Sequence, residues 1–198
     1  MDAQNEYDRR PIEQLLAEFG SKSDEVLYLI RETAGLIAYY QRLLERFELD
    51  ALTGLPGATK FRDFIDGAES RLTSVGVIFF DVNDLKFYND TKGHQAGDLL
   101  LQKASESLHL VVGGHIRAFR AGGDEFVVLI ENCAESEIDE LLSKWKDGLD
   151  GLNSADDGIH CSVAVGAAFG EGKFKMSDVL KLADERMYTE KRRMKRGK

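Results

Sequence analysis

The sequence predicts an α+β fold: a ferredoxin-like βαββαβ antiparallel sheet with helices, preceded by an N-terminal helical segment. Three observations predict it. Residues 75–80 (Val-Gly-Val-Ile-Phe-Phe) form a short, continuous apolar run that ends abruptly at Asp81. This is the pattern of a strand buried on two faces. Two further apolar runs, 116–121 and 126–131, are joined through Gly122-Gly123 and read as a β-hairpin. Helix-period segments separate these strands, so the order after residue 75 reads β-α-β-β-α-β, which packs helices on one face of an antiparallel sheet.

The chain divides near residue 50, giving an N-terminal segment 1–49 and a domain 50–198. The first ten residues are polar and read as loose. A short helix is expected from Ile12, after Pro11, to Phe19, before Gly20. A longer one follows Ser23 as N-cap, with Asp24 and Glu25 in its first turn. Along it Val26, Thr33, Tyr40 and Phe47 recur every seventh position, as do Leu29, Leu36 and Leu43. An apolar stripe held over about three heptads favours an intermolecular helix pair over packing on its own domain. Within the domain, helices are expected over 58–72, 96–112, 135–149 and 177–193. Strands are expected over 75–82, 116–121, 126–131 and 159–168.

Acidic residues cluster where these strands end. Asp81 closes the central run, and Asp124 and Glu125 sit at the hairpin tip. Gly122 and Gly123 allow positive φ there and clear side chains from the bend, so a ligand or another backbone can approach. Asp81 and Asp124 are expected to meet at one rim. Carboxylates and carbonyls are the hard oxygen ligands of Mg²⁺, whose other positions go to waters and phosphates. Cys133 and Cys161 stand alone and His94, His109, His115 and His160 are scattered, so Zn²⁺ is a poor alternative. The local pattern therefore points to a Mg²⁺–nucleotide site. Taken singly, each element has a blander reading: an acidic turn, a turn at Asn89-Asp90, a helix start at Gly97-Asp98.

Composition narrows the class. The chain of 198 residues carries a net charge of −9, which disfavours binding to a nucleic-acid backbone. Two cysteines and no signal-peptide pattern argue for a cytoplasmic protein without disulfide staples. No apolar run approaches the about 20 residues needed to cross a bilayer. The basic end, Lys191 to Lys198, suits the negative pole of a helix.

Several motifs in order resemble the GGDEF family of diguanylate cyclases. They are Asp50-Ala51-Leu52-Thr53-Gly54-Leu55-Pro56, Asp81, the run Asn89-Asp90-Thr91-Lys92-Gly93-His94-Gln95-Ala96-Gly97-Asp98, then Arg120-Ala121-Gly122-Gly123-Asp124-Glu125-Phe126. Ala183-Asp184-Glu185-Arg186-Met187-Tyr188, with Lys191, closes the set. The resemblance spans roughly residues 50–195, about three quarters of the chain. It implies the palm-like sheet shared with nucleotidyl cyclases and polymerases, and condensation of two GTP into cyclic di-GMP with release of pyrophosphate. It also implies roles. Asp81, the Val82 carbonyl, Asp124 and Glu125 would hold Mg²⁺ (Mn²⁺ is the alternative), two ions per GTP. Asp124 would accept the 3′-hydroxyl proton, and Lys86 would stabilise phosphate charge. Asn89 and Asp98 would read guanine, with His94, Arg120, Gly122 and Gly123 at the substrate. Lys191 and Lys195 would reach the outer phosphates, Lys195 standing where arginine is commoner, so that a bidentate clamp becomes a point charge. A homodimer through the N-terminal helix is implied as well.

Departures qualify the match. An Arg-x-x-Asp product-inhibition pair is frequent in the family, but this chain has Gly113 and Ile116 at those positions. Gly57-Ala58 replaces a commoner Asn-Arg, which questions local packing near the site, and Ala164 replaces a frequent serine. Two rival readings stay open: a degenerate GTP- or protein-binding domain, and a relaxed cyclase that also accepts ATP. No sensory domain fits within residues 1–49. The expected activator is therefore a partner or a further part of a longer protein.

Overall fold

The computed structural model describes residues 24–47, 49–155 and 158–196, with the side chains of residues 24–27 and 41–47 outside that description. The short helix expected over Ile12–Phe19, the Ser23 cap and the stripe side chains Val26, Leu43 and Phe47 lie outside the described residues. The chain divides into two units, with the boundary in sequence between Phe47 and Glu48.

The first unit contributes helix α1, Asp24–Phe47. Several of its described apolar side chains are exposed: Leu29 is 61% exposed, Leu36 55%, Ile37 53% and Tyr40 54%.

In the second unit the order is α2 (Ala58–Ile65), α3 (Ala68–Arg71), β1 (Ser74–Val82), α4 (Leu85–Lys92), α5 (His94–His109), β2 (Ile116–Arg120), β3 (Glu125–Glu131), α6 (Ser136–Asn153), β4 (Val163–Glu171) and α7 (Met176–Arg196). The four strands are antiparallel in the order β2-β3-β1-β4. The expected α+β fold is present, with four differences. The helix expected over 58–72 is split, because Gly67 takes a left-handed φ of 73° that ends one helix and opens the next. Helix α4 was not expected at all. Strand β4 begins at Val163 rather than 159, since its ladder to β1 runs only as far as Val82↔Val163. In the sheet β1 and β3 are the central pair and β2 lies at the edge, and the fourth difference concerns the faces.

Helices cover the two faces of the sheet, where the βαββαβ pattern alone suggested one. The continuous apolar character of β1 and β3 requires this. Ile78, Phe80, Val82, Phe126, Val128 and Ile130 meet Leu100, Leu108, Leu141 and Trp145 of α5 and α6. Phe80 packs on Trp145 at 4.8 Å between ring centroids, and the indole N–H donates to Ser107 Oγ at 2.9 Å. Val75, Val77, Val127 and Leu129 meet Val179 and Ala183 of α7 together with Ala68 and Leu72. On that side β4 presents Ala164, Gly166, Ala168 and Gly170, all buried. A Cβ at Gly166 would lie 2.0 Å from the Met187 amide nitrogen, so only glycine lets α7 rest directly on the strand. That close seat carries the last turns of α7 to the acidic end of β1.

Candidate active site

The ladder aligns Asp81 of β1 with Glu125 of β3 on one side and Ala164 of β4 on the other. Residues paired in this way point to the same face, which is the face that α7 covers. The hairpin loop is fastened to β1 by the Val82 N–H, which donates to the Asp124 carbonyl at 2.9 Å. Asp81 and Asp124 therefore share one rim.

Asp81 is 3% exposed. Its Oδ2 accepts from Lys191 Nζ at 2.5 Å, whereas its buried Oδ1 has no hydrogen-bond partner. Burial pushes its carboxyl above the ordinary range; Lys191 opposes this and the Asp124 charge adds to it. Burial likewise raises Glu125, with Asp124 and Asp81 adding to the effect. Lys195, exposed one turn further along α7, also acts on Asp81 through its charge. Asn83, buried just beyond, donates to Ser162 Oγ at 3.3 Å and Met194 Sδ at 3.5 Å, so the end of α7 is docked.

The hairpin loop differs from expectation in its backbone. Neither Gly122 nor Gly123 takes a positive φ. A Cβ at Gly122 would sit 2.9 Å from Glu125 Oε2, so a side chain there would shift that carboxylate, and nothing lies within 4 Å of one at Gly123. The Arg120 guanidinium serves this loop. It donates to the Gly122 carbonyl at 3.3 Å, the Gly123 carbonyl at 2.7 Å and Asp50 Oδ1 at 2.8 Å. Asp50 Oδ1 also accepts from the Thr53 N–H at 2.9 Å and hydroxyl at 2.7 Å. Burial works against the charge on Asp50, but the Thr53 and Arg120 hydrogen bonds outweigh it and hold its carboxyl below the ordinary range. Arg120 thus acts as a loop clamp, and Asp50 explains what the leading segment does. The packing doubt at Gly57-Ala58 is answered too: Gly57 bridges to Arg120, whose N–H donates to the Pro56 carbonyl at 2.8 Å.

Helices α4 and α5 carry the remaining expected residues. Asp84, left-handed at φ 64°, turns the chain out of β1 into α4, which carries exposed Lys86 and half-buried Asn89. Tyr88 and Lys92 pin this helix. The Tyr88 hydroxyl accepts from the His160 N–H at 3.1 Å, and Lys92 Nζ donates to the Gly158 carbonyl at 2.6 Å. Exposed His94 and Asp98 lie in the first turns of α5. Gly97 makes the junction: a Cβ there would fall 2.0 Å from Asn89 Oδ1, so Asn89 lies against α5 beside Asp98.

The carboxylate oxygens of this rim are chemically suited to a hard divalent cation whose other ligands come from outside the chain. Asp81 offers an unpartnered buried oxygen next to Glu125 and the Asp124 loop. Among the described residues, however, no three acidic, histidine or cysteine side chains gather closely enough to enclose an ion. The predicted quartet is therefore no preformed cage, because Lys191 already occupies one Asp81 oxygen and the rest are spread along the rim.

The family model for "Diguanylate cyclase, GGDEF domain" matches residues 47–197. The chain belongs to the GGDEF family. Among curated relatives, diguanylate cyclase DosC of Escherichia coli K12 is 29% identical over 189 residues, covering 91% of this chain and 40% of that protein. Cyclic di-GMP phosphodiesterase PdeR of the same organism is 29% identical over 186 residues, covering 87% of this chain and 27% of that protein. This GGDEF chain thus spans less than half the length of these relatives, and their names differ in activity. Among solved structures, the coiled coil and GGDEF domain of DgcB from Caulobacter crescentus, in complex with c-di-GMP, has a TM-score of 0.74. It is 22% identical and covers 85% of this chain and 93% of that one, a likeness of fold.

Gly97, Gly166 and Asp50 were not among the expected site residues. A signal existed for each glycine: one interrupts a helix and the other a strand, positions where glycine costs stability unless close packing requires it.

Proposed function

We propose that this GGDEF chain is a diguanylate cyclase that condenses two GTP into cyclic di-GMP across a pair of domains. The observation that carries the reading is the buried Asp81 carboxylate, with its orphaned oxygen, facing Glu125 and the Asp124 loop. A domain kept only for binding has no use for a destabilising acidic rim, so the degenerate reading is the weaker one.

Diguanylate cyclases of this family are metal-dependent. Here Asp81, the Val82 carbonyl, Asp124 and Glu125 would hold Mg²⁺, two ions per GTP, with Mn²⁺ as a substitute. When bound, the metal neutralises phosphate charge and helps align the in-line attack. Asp124 accepts the proton of the attacking 3′-hydroxyl. In each half-reaction that oxygen bonds to the other GTP's α-phosphorus, the α–β bridging bond breaks, and pyrophosphate leaves. Lys191, Lys195 and Lys86 offset charge on the phosphates. Asp98 accepts from guanine N1–H and the exocyclic amine while Asn89, held by Gly97, supports the same base; adenine lacks that donor pair and would leave Asp98 unpaired. His94 stands beside this pocket.

The two sites must face each other, and the exposed apolar face of α1 suits pairing with a second copy. No helix among the described residues is long and apolar enough to cross a membrane, which is compatible with a cytoplasmic enzyme working near its GTP pool. Incubation with Mg²⁺ and either GTP or ATP, followed by chromatography, tests the reading. Cyclic di-GMP from GTP and no dinucleotide from ATP is the expected result. GTP returned unchanged, or a dinucleotide formed from ATP, contradicts it.

A further inference from the structure

Asp81 is the most deeply buried carboxylate of the rim, yet only one of its oxygens has a partner. That partner, Lys191, reaches it from α7 across 110 positions of sequence, with side-chain exposures of 22% for the lysine and 4% for the aspartate. A buried carboxylate without a cation is strongly unfavourable, and Asp124 and Glu125 add like charge beside it. The Gly166 seat of α7 is what brings this ammonium within reach.

We propose that Lys191 is the resident counter-cation of the acidic rim, and that it leaves Asp81 for the phosphates when metal and nucleotide enter together. The idea rests on the cyclase reading of the site. A metal ion arriving alone at the unpartnered Oδ1 sets its charge beside the Lys191 ammonium on Oδ2 and offers that ammonium no new partner. A metal arriving with a nucleoside triphosphate supplies one in the polyphosphate. Metal and nucleotide then strengthen each other's binding by the same factor, and the rim stays closed to free divalent cations. Lys195 is the internal control, since its charge also reaches Asp81 but the hydrogen bond belongs to Lys191.

The test is binding of Mn²⁺ alone, followed by the electron paramagnetic resonance of the free ion, with no nucleotide present. Lys191→Met is expected to bind Mn²⁺ roughly tenfold more tightly than the wild-type chain, while Lys195→Met changes it by less than about twofold. Equal effects of the two substitutions, or none from Lys191→Met, would overturn the proposal. A second measurement needs no variant. The Lys191 side-chain ¹⁵N resonance should hold its position with Mg²⁺ alone and move with Mg²⁺ plus a non-hydrolysable GTP analogue; an equal shift with Mg²⁺ alone overturns it. Unchanged metal affinity in an active enzyme would refute the counter-cation role only. Absence of turnover alongside the expected affinity change would refute the cyclase reading only.

Discussion

Asp124 loads charge onto two carboxyl groups that burial already disfavours as anions, Asp81 and Glu125. A carboxyl whose folded value is raised binds more protons in the folded chain. Stability therefore falls as pH climbs from the ordinary carboxylate range through the raised value, and stays at the lower level above it. Asp124→Asn removes part of the cause. Without divalent cations this variant should melt at or above the wild-type temperature at about pH 7, with the gap closing by about pH 4. Its turnover should fall roughly a hundredfold or more. Near-normal turnover in kinetic assays would contradict the role given to Asp124. Gly97→Ala tests the proposed guanine contact of Asn89 in the same way. The new methyl must displace Asn89, while alanine favours the helix. GTP-over-ATP preference should drop about tenfold with the melting temperature held or raised. An unchanged preference would show that Asn89 needs no such seat. At this scale the acidic rim was legible because carboxylates at strand ends are written directly in the sequence. The Lys191 bridge and the loop-clamp use of Arg120 were not, since each depends on where a distant element comes to rest.

Among the elements, β1 and the hairpin were readable because apolar runs bounded by Gly and Asp leave few alternatives. Helix α4 was hidden. It is eight residues long, none of them buried, and its Asn89-Asp90 pair has strong turn character. Its order comes instead from the Tyr88 and Lys92 bonds to residues 158–160, which no local pattern reveals. The coverage of two sheet faces was present in the uninterrupted apolar character of β1, and the expectation of one covered face failed to use it. The connection before β2 makes a prediction of its own. Gly113 and Gly114 take φ of 148° and 60°. The Gly113 and Ile116 N–H groups donate to each other's carbonyls at 3.2 and 3.0 Å. An arginine at 113 would be strained, and Ile116 provides no carboxylate. Cyclic di-GMP should therefore leave initial rates unchanged when added at concentrations well above those of the enzyme. Noncompetitive inhibition relieved by substitutions at 113–116 would contradict this.

For the molecule as a whole, one domain carries one copy of the proposed base, phosphate and metal ligands, whereas the proposed product joins two nucleotides. Bringing two domains together from free solution costs translational and rotational entropy, which a paired helix offsets by raising their effective concentration. Helix α1 has the length and the exposed Leu29, Leu36, Ile37 and Tyr40 to do this. The seven-residue period was visible in the sequence, but a period alone cannot say whether the partner is another copy. The most direct measurement follows cyclic di-GMP and pyrophosphate formation from GTP and Mg²⁺ over a range of protein concentrations, for the 198-residue chain and for residues 49–198. The account predicts two pyrophosphates for each cyclic di-GMP. It also predicts a specific activity that is flat for the longer chain and climbs with concentration for the shorter one. The same specific activity for the two proteins at every concentration, or no cyclic di-GMP from either, would contradict it.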